Sequence, residues 1–249
     1  MIKKDALVKF IDKYTVGDAI KAVVWKVVPE EKSLKTRGEL DGRSFVMAVT
    51  LKEFTEIAEA VRVPVRDTAK MRLMLSPFGA DVSLSLHKQG DRLLGLTIST
   101  PDCESFCASA EISAIPPVTK DLTDNTTYEV VIPITEEFVG SFLKARKALS
   151  DVEEFTVRMN KNDVLEFVLG QSTPNADRIA LLPPLTPGND KLDGPSLTFP
   201  IKYFVKLLDA NKEMEDGKIY ICSRSNVLKV VYSDAQFECM YWQFARVKK

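Results

Sequence analysis

The sequence predicts an α+β protein built of two similar domains, each an antiparallel sheet with two helices on one face. Residues 2–14, 51–61, 136–149 and 201–210 carry apolar side chains at helical spacing. Short runs rich in β-branched and aromatic residues fill the chain between them. The order helix, strands, helix, strands therefore occurs twice, with a stretch of linker composition at 114–127 between the two occurrences. Many short strands with two helices per half favour antiparallel sheets over a doubly wound parallel one. The boundaries read as a first domain at 1–118, a connector at 119–127 and a second domain at 128–249. The halves share an order of elements, with no evident sequence identity.

The first helix places Leu7, Phe10, Ile11 and Tyr14 on one side, with Lys9, Asp12 and Lys13 opposite. Residues 20–28 read as a strand. The charged, turn-prone stretch 30–42 fits either a hairpin or a long loop. A strand at 43–49 leads to the second helix, whose apolar face is Leu51, Phe54, Ile57, Ala58 and Val61. Strands follow at 70–75, 80–87, 93–100 and 106–112, with Gln89-Gly90-Asp91 as a hairpin connection. In the second half, a strand at 128–134 precedes a helix that buries Phe138, Val139, Phe142, Ala145 and Leu149. Thr135 is its cap, and Glu136 and Glu137 suit the positive end of its first turn. Residues 154–159 and 164–169 pair as a hairpin across Asn160-Lys161-Asn162. A strand at 178–182, a Pro/Gly/Asp loop at 183–195 and an extended 197–199 precede the last helix. That helix turns Phe204, Val205, Leu207 and Leu208 inward, and strands at 218–223, 227–232 and 237–244 close the chain.

The chain has 249 residues, 45% of them apolar, which is enough for a sizeable core. A formal net charge of −1 excludes a protein that holds DNA by bulk positive charge. Any nucleic-acid role must rest on a local basic surface. The opening residues show no secretory signature, and no apolar run approaches a membrane span. Cys103, Cys107, Cys222 and Cys239 accordingly read as free thiols in a reducing, cytoplasmic compartment. Asn125-Thr126-Thr127 matches a glycosylation acceptor, which carries no weight without export.

No catalytic constellation emerges. His87 is the only histidine, so no multi-histidine metal site can form, and its place in an alternating strand reads as an ordinary strand histidine. Cys103 and Cys107 lack a matching second cysteine pair. No Gly-rich phosphate loop with a trailing Lys-Ser/Thr and no Gly-x-Ser-x-Gly elbow is present. The acidic pairs Glu30-Glu31, Glu136-Glu137 and Glu153-Glu154 are of a kind that nearly any soluble domain has. The sequence therefore predicts no enzyme, no catalytic residue, no cofactor and no metal.

The outward helix faces carry more information. Lys9 and Lys13 lie there on the first helix, Lys144 and Lys147 with Arg146 at the border on the third, and Lys202 and Lys206 beside Asp209 on the last. Each face alone is a solvated face of mixed charge. Lysine pairs recurring on three helices also fit a shared anionic surface. The second helix departs, with Lys52 beside Glu53, Glu56 and Glu59.

The stretches VVIPITEEFVGSFLKARKAL (130–149) and LTFPIKYFVKLLDANKEMEDGKIYICSRSNVLKVVYSDAQFECMYWQF (197–244) resemble the DNA sliding clamps. The likeness is greatest to the T-even-type bacteriophage clamps and more distant to proliferating-cell nuclear antigen. It includes the Phe199-to-Tyr203-Phe204 helix start and the strand led by Gly217. A first helix with no strand before it also fits the phage branch. The resemblance implies a homotrimeric ring, with helices inside, sheets outside and edge strands paired between subunits. Lys9, Lys13, Lys144, Arg146, Lys147, Lys202 and Lys206 would then face the phosphates of double-stranded DNA without sequence preference. Retention would be topological, so a weakly positive bore suffices and the net charge is compatible.

The resemblance also implies partners: a DNA polymerase, an ATP-driven clamp loader and no membrane, in the host-cell cytoplasm if the chain is phage-encoded. Polymerase peptides would dock beside the connector, with Ile115, Pro116, Pro117 and Val118 at that pocket; the same residues also fit a plain linker. The acidic helix at 51–61 is the main departure from the expected bore. Competing readings are a monomeric DNA-tethering polymerase accessory protein, an enzyme on an α+β scaffold with acids converging in a cleft, and a virion structural protein.

Overall fold

Leu7, Phe10, Ile11 and Tyr14 recur at helical spacing, and their burial winds Lys4–Thr15 into helix α1. The computed structural model describes residues 1–40, 42, 44–118, 126–170, 176–186, 188 and 191–245. The chain divides into two compact units. Met1–Leu40, Val46–Asp121 and Asp234–Cys239 form the first, and Asp41–Phe45, Leu122–Ser233 and Met240–Lys249 the second. Of the connector expected at 119–127, residues 119–125 lie outside the described residues.

In the first unit α1 is preceded by a short strand β1 (Ile2–Lys3), which pairs Ile2 with Val82. The expectation of no strand before the first helix is thus corrected, and with it one of the features that suggested the phage branch. Strand β2 (Val23–Val28) buries Val23, Trp25 and Val27 on alternate positions. The open choice for 30–42 resolves as a hairpin: β3 (Ser33–Leu40) pairs antiparallel with β2 after a turn in which Lys32 is left-handed. Strand β4 (Phe45–Leu51) follows.

The helix expected at 51–61 does not form. Glu53 is left-handed at φ 57°, which an α-helix cannot accommodate. The Lys52 and Phe54 N–H groups donate outward, to Gln236 O at 2.8 Å and Lys32 O at 2.7 Å. Leu51, Phe54 and Ile57 are buried as the pattern required, but the end of β4 delivers Leu51 and an irregular chain delivers the other two. Strand β5 (Val61–Val65) comes next and pairs with β2, its Pro64 tolerated because β5 lies at a sheet edge. The second helix is α2 (Thr68–Leu75), where a strand was expected over 70–75. The Asp67 carboxylate caps it by accepting from the Lys70 N–H at 2.8 Å, and Thr68, Met71 and Leu75 form its buried face. Strands β6 (Asp81–Gln89), β7 (Arg92–Thr100) and β8 (Cys103–Ala108) complete an antiparallel meander.

The second unit contains β9 (Val130–Ile134), α3 (Glu136–Ala148), β10 (Glu154–Met159), β11 (Leu165–Gly170), β12 (Arg178–Leu181), β13 (Leu197–Pro200), α4 (Ile201–Ala210), β14 (Gly217–Cys222) and β15 (Val227–Ser233). The residues of β16 (Phe237–Phe244) from Met240 onward also belong to it. Thr135 caps α3 through its hydroxyl, which accepts from the Phe138 N–H at 3.2 Å. Asn160 shapes the β10–β11 turn by accepting from the N–H groups of Asn162 and Val164.

The strand orders reveal the duplication. The first unit has β1-β6-β7-β8 and β5-β2-β3-β4; the second has β9-β14-β15-β16 and β13-β10-β11-β12. Adding eight to each strand number of the first unit yields the second. Helices α1 and α3 occupy equivalent places in the order, as do α2 and α4.

Polar interactions fix the irregular parts. The Glu129 carboxylate accepts from the Ser223 hydroxyl at 2.6 Å and from the Asp193 N–H at 3.1 Å, tying the loop before β13 to the β14–β15 turn. Partial burial pushes this carboxyl upward, but the Ser223 hydroxyl and the backbone N–H groups of Asp193, Ser223 and Arg224 outweigh that and hold it below its ordinary range. A depressed carboxylate stabilises the fold above its unfolded pKa, and the contribution is lost as pH falls through the folded pKa. Glu129→Ala is therefore expected to lower stability by about 1–2 kcal/mol at neutral pH. Denaturant melts of both proteins should converge as acid protonates Glu129; a gap that persists unchanged at pH 3 would contradict this account.

Candidate nucleic-acid interface

Each unit brings its two helices side by side. Helices α1 and α2 are joined by an ion pair in which Arg72 Nε donates to Asp12 Oδ1 at 2.9 Å and Nη2 to Oδ2 at 3.1 Å. Helices α3 and α4 meet through Phe142 and Phe204, whose ring centroids are 4.9 Å apart. The buried stripes of these helices lie against their sheets, so their remaining sides hold the charges.

Lys9 is exposed on α1. Lys13 is not: it is 0% exposed, with its ammonium 5.0 Å from the centroid of the Phe237 ring. It flanks Phe10 and Tyr14 on the buried stripe, and its stem is covered by a segment distant in sequence, so its expected outward position is corrected. Lys144 and Lys147 are exposed on α3. Arg146 is half-buried and donates from Nη1 to Leu149 O at 2.7 Å, closing the carbonyl end of the helix. On α4, Lys202 is exposed with its ammonium 4.5 Å from the Tyr203 ring centroid, and Lys206 is exposed one turn later. Asp209, beside them, forms an ion pair with Lys212 at 3.1 Å.

Two basic residues escaped the sequence reading. Helix α2 presents Lys70 and Arg72 on its exposed side and contains no acidic residue. Asp67 followed by good helix formers was the available signal. Asp12 beside Arg72 is partly buried, which raises its carboxyl above the ordinary range; the guanidinium opposes the rise without cancelling it.

Of the candidate peptide-site residues, Ile115 is buried after a short 3-10 turn, Pro116 and Pro117 are exposed, and Val118 is half-buried. A cleft of about 180 Å³ in the first unit is lined by Arg62, Pro64, Arg92, Leu93 and Ile112 among others, and residues 115–118 do not line it. His87 is exposed on β6 against the Phe106 ring at 5.6 Å. Among the described residues, no group of three or more His, Cys, Asp or Glu is placed to hold a metal ion. No helix among them is long and apolar enough to cross a membrane.

Among the solved structures similar to this chain is the proliferating cellular nuclear antigen from Entamoeba histolytica, at TM-score 0.70 and 11% identity over 98% of this chain and 96% of that one. Another is the A. fulgidus PCNA bound to the C-terminal region of FEN-1, at TM-score 0.70 and 15% identity over 100% and 98%. The chain has the sliding-clamp fold. At these identities the likeness is one of fold. No protein-family model and no curated protein sequence matches the chain. The acidic departure at 51–61 also disappears, because the second helix of this clamp fold is the basic α2 and not the stretch that holds Glu53, Glu56 and Glu59.

Proposed function

We propose that this protein is a sliding clamp, which encircles duplex DNA as a homotrimer and tethers a replicative polymerase for processive synthesis. The observation that carries the reading is that each of the four α-helices among the described residues exposes cations: Lys9 on α1, Lys70 and Arg72 on α2, Lys144 and Lys147 on α3, and Lys202 and Lys206 on α4. Helix faces of this kind meet phosphates without reading bases, which is what a moving ring needs. The net charge of −1 is compatible, since closure and not affinity would retain the ring.

The duplication supports closure. Within the first unit, β4 runs beside the segment 234–239 that opens β16, with Lys52 N–H donating to Gln236 O. The repeat makes β12 the counterpart of β4, and β8 that of β16. Both β8 and β12 lie at sheet edges, where Phe106 is 47% exposed and the adjoining Leu182 65%. Pairing β12 of one copy with β8 of the next would cover both edges. The exposed Pro116 and Pro117, with Ile115 and Val118, are the proposed seat of partner peptides, and a loader supplies the ATP-driven opening. The stretches 130–149 and 197–244 are what favours a phage-type member.

The test combines mass and topology. The protein should sediment at three times its 27.8 kDa chain mass at high concentration. It should stimulate its polymerase on primed circular template and lose that effect on linear template with free ends. A strict monomer that stimulates equally on both would replace the ring with direct tethering.

A further inference from the structure

On the exposed side of the first unit's helices, one cation is already engaged. The Arg72 guanidinium and the Asp12 carboxylate form a two-point fork between α2 and α1, at 2.9 and 3.1 Å. Such planar pairs fix orientation as well as charge. The pair remains open to solvent, with the two side chains 54% and 36% exposed, so it does not serve as a buried structural bridge. The fork uses Nε and Nη2 and leaves the Nη1 hydrogens directed away from Asp12. Lys9 and Lys70 are exposed on the same two helices.

We propose that Asp12 is a positioning residue that restrains Arg72 and mutes its charge, setting the strength with which this surface grips a polyanion. The inference rests on the reading of the helical layer as the DNA-facing surface. Its physical content is a competition: a phosphate approaching Arg72 finds a carboxylate already bound to two of its donors. The contact it makes is weaker than that of a free guanidinium, and the pair presents almost no net charge. A ring that must move along its track gains from such a restraint, because strong phosphate contacts raise the barrier to each step.

Removing the carboxylate should release the cation. Affinity of the full-length protein for a short linear duplex, followed by fluorescence anisotropy across a salt series, supplies the readout. Asp12→Asn should bind several-fold tighter at low salt, and its log–log salt slope should steepen by about 0.9, the value of one added phosphate contact. Asp12→Glu keeps the carboxylate and should restore the parental slope, which a merely structural role would not require. Arg72→Ala separates restraint from simple loss of a repelling acid: adding Asp12→Asn to Arg72→Ala should produce no steepening.

A gain that persists without Arg72, or no change of slope in Asp12→Asn, would overturn the inference. The parent reading fails separately. If charge reversal at Lys144 and Lys147 leaves the slope of the parent protein unchanged, the helices are not the DNA-facing surface and the role of Asp12 falls with them.

Discussion

Phe155→Ala is expected to destabilise the second unit by about 3–5 kcal/mol, the cost of removing a fully buried aromatic side chain and leaving a cavity. Phe155 is 0% exposed on β10. Its ring centroid lies 5.4 Å from Phe142, 5.0 Å from Phe204, 5.6 Å from Phe199 and 5.6 Å from Phe167, the last stacked at an interplanar angle of 9°. These neighbours come from α3, α4, β13 and β11, so one deletion strips contacts from both helices and the sheet beneath them. Domains are held by about 5–15 kcal/mol, so the loss removes a large share of the total. Denaturant unfolding of Phe155→Ala should show the second unit's midpoint falling sharply. Phe155→Leu, which refills most of the volume, should cost much less. Leu143→Ala on α3, half-exposed, should shift it by no more than about 0.5 kcal/mol. Equal losses in all three variants would mean that the aromatic cluster is not the organising core.

Strong, uniform patterns were readable in the sequence. The last helix is expected at 201–210 and occupies Ile201–Ala210; Phe204, Leu207 and Leu208 are buried as expected, while Val205 is half-buried and Ile201 and Tyr203 join the buried face. Strand 237–244 is likewise Phe237–Phe244, where burial alternates from Phe237 to Tyr241 and then continues through Trp242 and Gln243. The failures share a cause. Residues 51–61 show helical spacing of apolar groups, yet the period is a coincidence of loop packing, and the decisive facts are long-range hydrogen bonds to Gln236 and Lys32. Helix α2 spans eight residues and buries only Thr68, Met71 and Leu75, too short a stripe for periodicity to separate it from a strand. Its polar cap was the better signal.

The candidate interface follows the same division. Lys9, Lys144, Lys147, Lys202 and Lys206 are exposed where the helical wheel put them. Lys13 falls on the side opposite the apolar stripe in the sequence, yet tertiary cover from Phe237 buries it. Lys70 and Arg72 lie in a stretch whose sequence reads as a strand, so periodicity alone does not place them on a helix.

Simultaneous charge reversal of Lys144, Lys147, Lys202 and Lys206 to glutamate is expected to abolish productive loading and to weaken duplex binding by on the order of 100-fold at low salt. Each phosphate neutralised contributes about 0.9 to the log–log salt slope, so losing several flattens it by roughly three units. The fold should survive, because all four side chains are exposed and surface changes rarely exceed about 0.5 kcal/mol each. An unchanged thermal melt is therefore a required control. Lys218→Glu is the second control: Lys218 is exposed on strand β14, not on a helix. If cations matter only by total charge, any four reversals should act in proportion and Lys218 should behave as a quarter of the set. If the helices face the duplex, the sheet lysine should be nearly silent while the helical ones act together. Polymerase stimulation on a primed circle that survives the fourfold reversal would show that these side chains do not meet DNA during loading or movement. The distinction turns on where the charge sits, since a chain with net charge −1 has no surplus of cations to substitute from elsewhere.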